Sequence, residues 1–116
     1  MSKILISLDV SDEVITDIID GAESGGINYW ASRSINDPDN RTLTITDSED
    51  DKTITISYDQ IVNAISDLAN GHVSISSAIR DAITSDLASG DYGCYMDATC
   101  YDVIIQVALF GDVVYG

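Results

Sequence analysis

Arg41-Thr42-Leu43-Thr44-Ile45-Thr46 and, after Asp47-Ser48-Glu49-Asp50-Asp51, Lys52-Thr53-Ile54-Thr55-Ile56 are the stretches that decide the fold. Leu43, Ile45, Ile54 and Ile56 alternate with Thr42, Thr44, Thr46, Thr53 and Thr55, the period-2 signature of strands with one apolar and one polar face. The five residues between the runs are all polar turn formers, so the two strands read as an antiparallel pair. A sheet with a single apolar face needs a cover, and helices must supply it.

Upstream, Ile27 to Ser34 reads as another strand, joined to the pair through Asn36-Asp37-Pro38-Asp39-Asn40. With Ser57 closing the last strand, this makes a three-stranded antiparallel meander. Before it, Ser11 stands at a helix N-cap, and Val14, Ile15, Ile18, Ile19 and Ala22 recur at helical spacing until Ser24-Gly25-Gly26 stops them. Ile4, Ile6 and Leu8, within residues 3 to 10, alternate as a short strand or extended arm.

Downstream, Ser57-Tyr58-Asp59-Gln60 fits a capping box that opens a second helix, carrying Ile61, Ile65 and Leu68 and ending at Asn70-Gly71. Ser74 or Ser76 begins a third, with Ile75, Ile79, Ile83 and Leu87 in an i, i+4 row that Ser89-Gly90 stops. A fourth opens at Asp97 and runs to Phe110 before Gly111. It is apolar almost all round, its polar stripe being Thr99, Asp102 and Gln106, as expected of a central core helix or of one half-buried in a partner subunit. The tail Asp112-Val113-Val114-Tyr115-Gly116 should dock as a short strand or against a neighbour. The expected architecture is therefore α+β, a three-stranded meander with an N-terminal strand or arm against about four helices. At 116 residues, with no repeat and no linker, residues 1–116 read as one domain.

Twenty acidic against five basic side chains give a net charge of −15, which excludes direct nucleic-acid binding and disfavours anionic membranes. No apolar run approaches the roughly 20 residues of a membrane span, and the start lacks a signal peptide's apolar stretch, so the expected location is the cytoplasm. Cys94 and Cys100 match no common zinc spacing and read as reduced thiols. No phosphate loop, nucleophile elbow or paired-histidine motif is present, and the one histidine, His72, sits at a helix junction. We therefore expect no enzyme activity and no cofactor. The acidic hairpin turns lack the alternating acids and distal glutamate of a calcium loop.

Three features are candidates for partner binding. Glu13, Asp17 and Asp20 recur at i, i+4 and i+7 on the first helix, with Asp12 and Glu23 flanking, so one face carries only negative charge. Like charges at this spacing cost a helix roughly 0.2–0.5 kcal/mol per pair, though acids near its N-terminus gain from the dipole. Asp47, Glu49, Asp50 and Asp51 add carboxylates at a hairpin turn. Spread over the roughly 6,100 Å² expected for a globule of 12.4 kDa, the net charge is several-fold more dilute than duplex DNA's, about one per 105 Å². Mimicry of nucleic acid thus requires carboxylates gathered on one side, and the two turns of a meander lie at opposite ends. Finally, Gly25-Gly26-Ile27-Asn28-Tyr29-Trp30 places two aromatics after two glycines. On a strand Tyr29 and Trp30 would face opposite ways, leaving one free to stack on a ligand or partner beside Arg33, Arg41 and Lys52.

The segment Glu23 to Ala31, with its GG-x-x-YW core, and Asp102 to Gly116, ending in ALFG-x-VVYG, together resemble small uncharacterised proteins encoded by bacteriophages and prophages. The resemblance implies a phage accessory protein and carries over no catalytic residues. By analogy with small acidic phage proteins it points to the anti-CRISPR or anti-restriction class. Such a protein would inhibit a basic bacterial defence protein, or its nucleoprotein complex, by occupying a nucleic-acid-binding groove. The alternatives are an oligomeric sponge holding a nucleotide signal between Tyr29 or Trp30 and an arginine, and a phage structural or assembly protein that self-associates through its last helix and tail.

Overall fold

The computed structural model describes residues 10–89 and 96–116. The expected N-terminal strand or arm, apart from Val10, which belongs to no strand, lies outside these residues, as do Gly90, Cys94 and any Cys94–Cys100 pairing. In chain order the elements are α1 (Asp12–Gly21), a π-helical turn (Ala22–Gly26), β1 (Ala31–Asp37), β2 (Thr42–Asp47), β3 (Thr53–Ser57), α2 (Tyr58–Ala69), α3 (Ser77–Ser89) and α4 (Ala98–Phe110). The fold is α+β.

The sheet is the expected meander, β1-β2-β3, antiparallel throughout. Leu43, Ile45 and Ile56 are buried on its inner face. On the outer face Thr44 pairs with Thr55 and Thr46 with Thr53, and their hydroxyls hydrogen-bond across the strands at 2.9 and 3.0 Å. These cross-strand pairs are the sheet counterpart of i, i+4 pairs on a helix, and they pin the register that keeps the isoleucines inside.

The first strand begins four residues later than its sequence suggests. α1 ends at Gly21 and passes into the π-helical turn, which stops at Gly26 as expected, and Ile27 then accepts amide bonds from Trp30 and Ala31 at 3.1 and 2.8 Å. Ile27 to Trp30 is thus a turn, and strand alternation does not govern Tyr29 and Trp30. Gly26 is required where this turn crosses α4, because a Cβ there would lie 2.8 Å from the Ala98 carbonyl oxygen.

The helix caps form as the residues dictate. Ser11 Oγ accepts the Val14 amide, Ser57 and Gln60 make a complete capping box, Ser76 Oγ accepts the Ile79 amide, and Asp97 accepts the Cys100 amide. Gly111 ends α4 at φ 78°, the left-handed conformation glycine adopts at little cost. α4 is the central helix, packed against α1, α2, α3 and β3. Its Ile104 and Ile105 are fully buried, with Ile15 and Ile19 of α1 and Ile61 and Leu68 of α2 in the same core. Each such side chain contributes roughly 1.5–3 kcal/mol of burial, which far outweighs the like-charge repulsion on the solvent side of α1.

Candidate functional site

The acids among the described residues divide by environment, and that division defines the candidate surface. Asp12 is not free. Arg41, which closes the β1–β2 turn at φ 54°, reaches back to it at 2.9 Å and to Asp59 at 3.0 Å. These two carboxylates raise the guanidinium pKa above its ordinary value. Asp67 lies 3.3 Å from the exposed His72 ring, and Asn40 holds the Asp37 carboxyl below its usual pKa through side-chain and backbone hydrogen bonds. Glu13, Asp17 and Asp20, by contrast, are exposed along α1 and form no ion pair with any described residue. Glu23 is half-buried and lines a small groove with Arg33, Asn28 and Ser32.

The α1 stripe has a definite charge density. Glu13, Asp17 and Asp20 span seven residues of helical rise, about 10 Å, so successive carboxylates lie about 5 Å apart along the axis, sparser than the one charge per ~3.4 Å of a single DNA strand. The remaining acids do not widen it into a broad patch. Glu49, Asp50 and Asp51 are exposed at the β2–β3 turn, at the opposite end of the sheet from Asp37 and Asp39. α1 runs between these ends, for its first turn is tied to the β1–β2 turn by Arg41–Asp12. The turn that follows it is tied to the β2–β3 turn by two bonds from Ser48, amide and hydroxyl, to the Trp30 carbonyl.

Two residues expected at a binding surface lie inside. Trp30 is 2% exposed and Asp47 is 5% exposed. The Trp30 indole stacks on Tyr115 at 5.5 Å between centroids and meets Phe110 at 5.7 Å, while its Nε1–H donates to Asp102 Oδ1 at 2.7 Å. Asp47 accepts the Tyr115 hydroxyl at 2.7 Å and the Glu49 amide at 2.9 Å. Tyr29 does keep an exposed ring, at 57%, but its hydroxyl is committed to Asp102 Oδ2 at 2.5 Å. Burial and this hydrogen bond push the phenol up to about 12.

These contacts form one network about the interior polar stripe of α4. Asp102 and Gln106, one helical turn apart, are both buried, whereas Thr99 faces out. Gln106 donates to Asp102 Oδ1 at 2.8 Å and to the Tyr115 carbonyl at 3.1 Å, and its Oε1 accepts the Val114 and Tyr115 amides at 2.8 Å each. A side-chain amide thereby takes the place of a neighbouring strand, which is why the tail docks on its own chain without forming one. The turn after α1 and the C-terminal segment meet here, although more than 70 residues separate the Tyr29–Trp30 pair from Asp102. What sequence reasoning missed is this clasp, and its signal was a polar i, i+4 pair in an otherwise apolar helix.

Beside the network lies a cleft of about 480 Å³, bounded by the Gly25–Gly26 turn, the first turns of α4 and the C-terminal residues. Among the described residues, no three His, Cys, Asp or Glu side chains converge as metal ligands, and no helix is long and apolar enough to cross a membrane. Cys100 is buried, and burial raises its thiol pKa. No family model, curated protein or solved structure matches the chain.

Proposed function

We propose that this is a non-catalytic inhibitor, of the phage anti-defence type, that lays the α1 carboxylates into a basic groove where a bacterial defence protein holds nucleic acid. The observation that carries the reading is the exposed run Glu13, Asp17 and Asp20, unpaired by any described residue. Arg41 neutralises other acids a few residues away, so pairing was within the fold's means. One narrow row of carboxylates, about 5 Å apart along a helix face, favours a partner that tracks one phosphodiester strand rather than a duplex. Complementary charge would speed encounter and make affinity fall as salt rises.

Phage plating tests the biological role. Bacteria carrying a defence nuclease and expressing this protein should plate a sensitive phage more efficiently than cells without it. No gain across a panel of CRISPR effectors and restriction nucleases would refute the reading.

The two other readings fare less well on geometry. A nucleotide held against Trp30 would have to displace Tyr115 and Phe110, and the cleft beside Tyr29 has no basic side chain among its described lining residues. Self-association through α4 has less surface to use, since most of that helix faces the chain's own core, while Val114 of the tail stays exposed.

A further inference from the structure

We propose that the cleft beside Asp102 binds a small organic ammonium ion carrying an apolar body, with the Asp102 carboxylate as counter-ion. The inference stands apart from the α1 reading and uses none of its residues. At about 480 Å³ the cleft falls within the size range of small-molecule sites. Among the described residues Asp102 is the one charged side chain in the lining, alongside the rings of Tyr29 and Tyr115 and the apolar Ile79, Val103 and Val113.

The acceptor count on Asp102 favours a cationic donor. Oδ1 takes the Trp30 indole and the Gln106 amide, while Oδ2 takes the Tyr29 hydroxyl alone. A carboxylate oxygen accepts two bonds, so Oδ2 retains a place for one more donor. Asp102 is only 7% exposed and has no ion pair with any described residue. A carboxylate removed from water is costly unless it is paired and hydrogen-bonded, and an ammonium group would add the missing counter-charge.

Other ligand classes fit poorly. A phosphate or carboxylate would meet Asp102 with no basic side chain among the described lining residues to offset it. A cation gains from tyrosine rings within about 6 Å, and the net charge of −15 raises its local concentration. The aliphatic wall then takes the apolar body of the ligand.

The test is calorimetric titration of the full chain with 2-phenylethylammonium, its neutral isostere 2-phenylethanol, and adenosine monophosphate. The fluorescence of Trp30, the chain's one tryptophan, is followed in parallel because its indole bonds to the same carboxylate. The expected result is single-site binding of the ammonium, with the alcohol weaker by about tenfold or more and no binding of the nucleotide. Thr99→Phe, at an exposed position lining the cleft, should abolish binding while leaving Tm unchanged. Asp102→Asn should weaken binding by about tenfold or more. If that variant fails to fold, Thr99→Phe and the neutral isostere decide between the outcomes. Absence of ammonium binding at millimolar concentration, equal binding of the alcohol, or unchanged binding by Thr99→Phe would each overturn the proposal.

Discussion

The outer face of α1 and the inner face of α4 use the same residue type in opposite ways. On α1, Glu13, Asp17 and Asp20 stand exposed and make no ion pair with any described residue. On α4, Asp102 is enclosed and gathers the Tyr29 hydroxyl, the Trp30 indole and the Gln106 amide about itself. The contrast teaches that a net charge of −15 is not a single property of the molecule. Part of it is scaffold, part is neutralised by Arg41, and the remainder is surface that folding does not need. Substitution of Asp102 on α4 should therefore damage the fold, and substitution of the exposed acids on α1 should damage only binding.

The largest effect should come from Asp102→Ala. It leaves three donors without their acceptor, two of them inside the protein, and should destabilise the fold by about 3 kcal/mol or more. Urea unfolding followed by Trp30 fluorescence measures this, and a loss below about 1 kcal/mol would erase the contrast with α1. Next in size is Tyr115→Ala, which removes the ring stacked on Trp30 and the hydroxyl bound to Asp47. It should lower Tm by less than Asp102→Ala does and release the tail, read as faster amide exchange at Val114. Tyr115→Phe, which keeps the stacking, should fall between this variant and the wild type.

Alkaline pH probes the same clasp without mutation. The hydrogen bond to Asp47 pushes the Tyr115 phenol up to about 12, and burial together with Asp102 does the same for Tyr29. In the unfolded chain both titrate near 10. The stability they carry is therefore complete below pH ~10 and is lost as pH rises through the folded values, because the unfolded state gives up its protons first. Phenolate absorbance and Trp30 fluorescence should change together between about pH 10 and 12, whereas ionisation of these two phenols near 10 would contradict the clasp. The smallest effect on stability belongs to Glu13→Gln, Asp17→Asn and Asp20→Asn combined. Relief of like-charge repulsion should leave the protein as stable as before, or more stable by a few tenths of a kcal/mol per pair removed.

The local parts of this architecture were legible in the sequence, and the long-range parts were not. Threonine–isoleucine alternation specified β2 and β3, and Ser57–Gln60 and Asp97–Gly111 marked the helix ends, because each signal is complete within a few residues. β1 was placed too early because a turn at residues 27–30, following the π-helical turn, takes up Tyr29 and Trp30 before the strand begins. The exposure of the α1 acids followed from helical spacing. The burial of Asp47 and Trp30 did not, since it depends on Tyr115, an aromatic near the other end of the chain. The pairing of Asp12 with Arg41 likewise joins a helix to a hairpin turn 29 residues away.

The most direct test of the central claim is competition for nucleic acid. Labelled DNA or guide RNA is bound to purified bacterial defence nucleases, and its release by this protein is followed as salt is raised. The account predicts displacement from at least one such nuclease at low salt, weakening as salt increases and abolished by joint charge reversal at Glu13, Asp17 and Asp20 in a variant that folds normally. Displacement by that variant as strong as by the wild type, or no displacement from any nuclease at low salt, would contradict it.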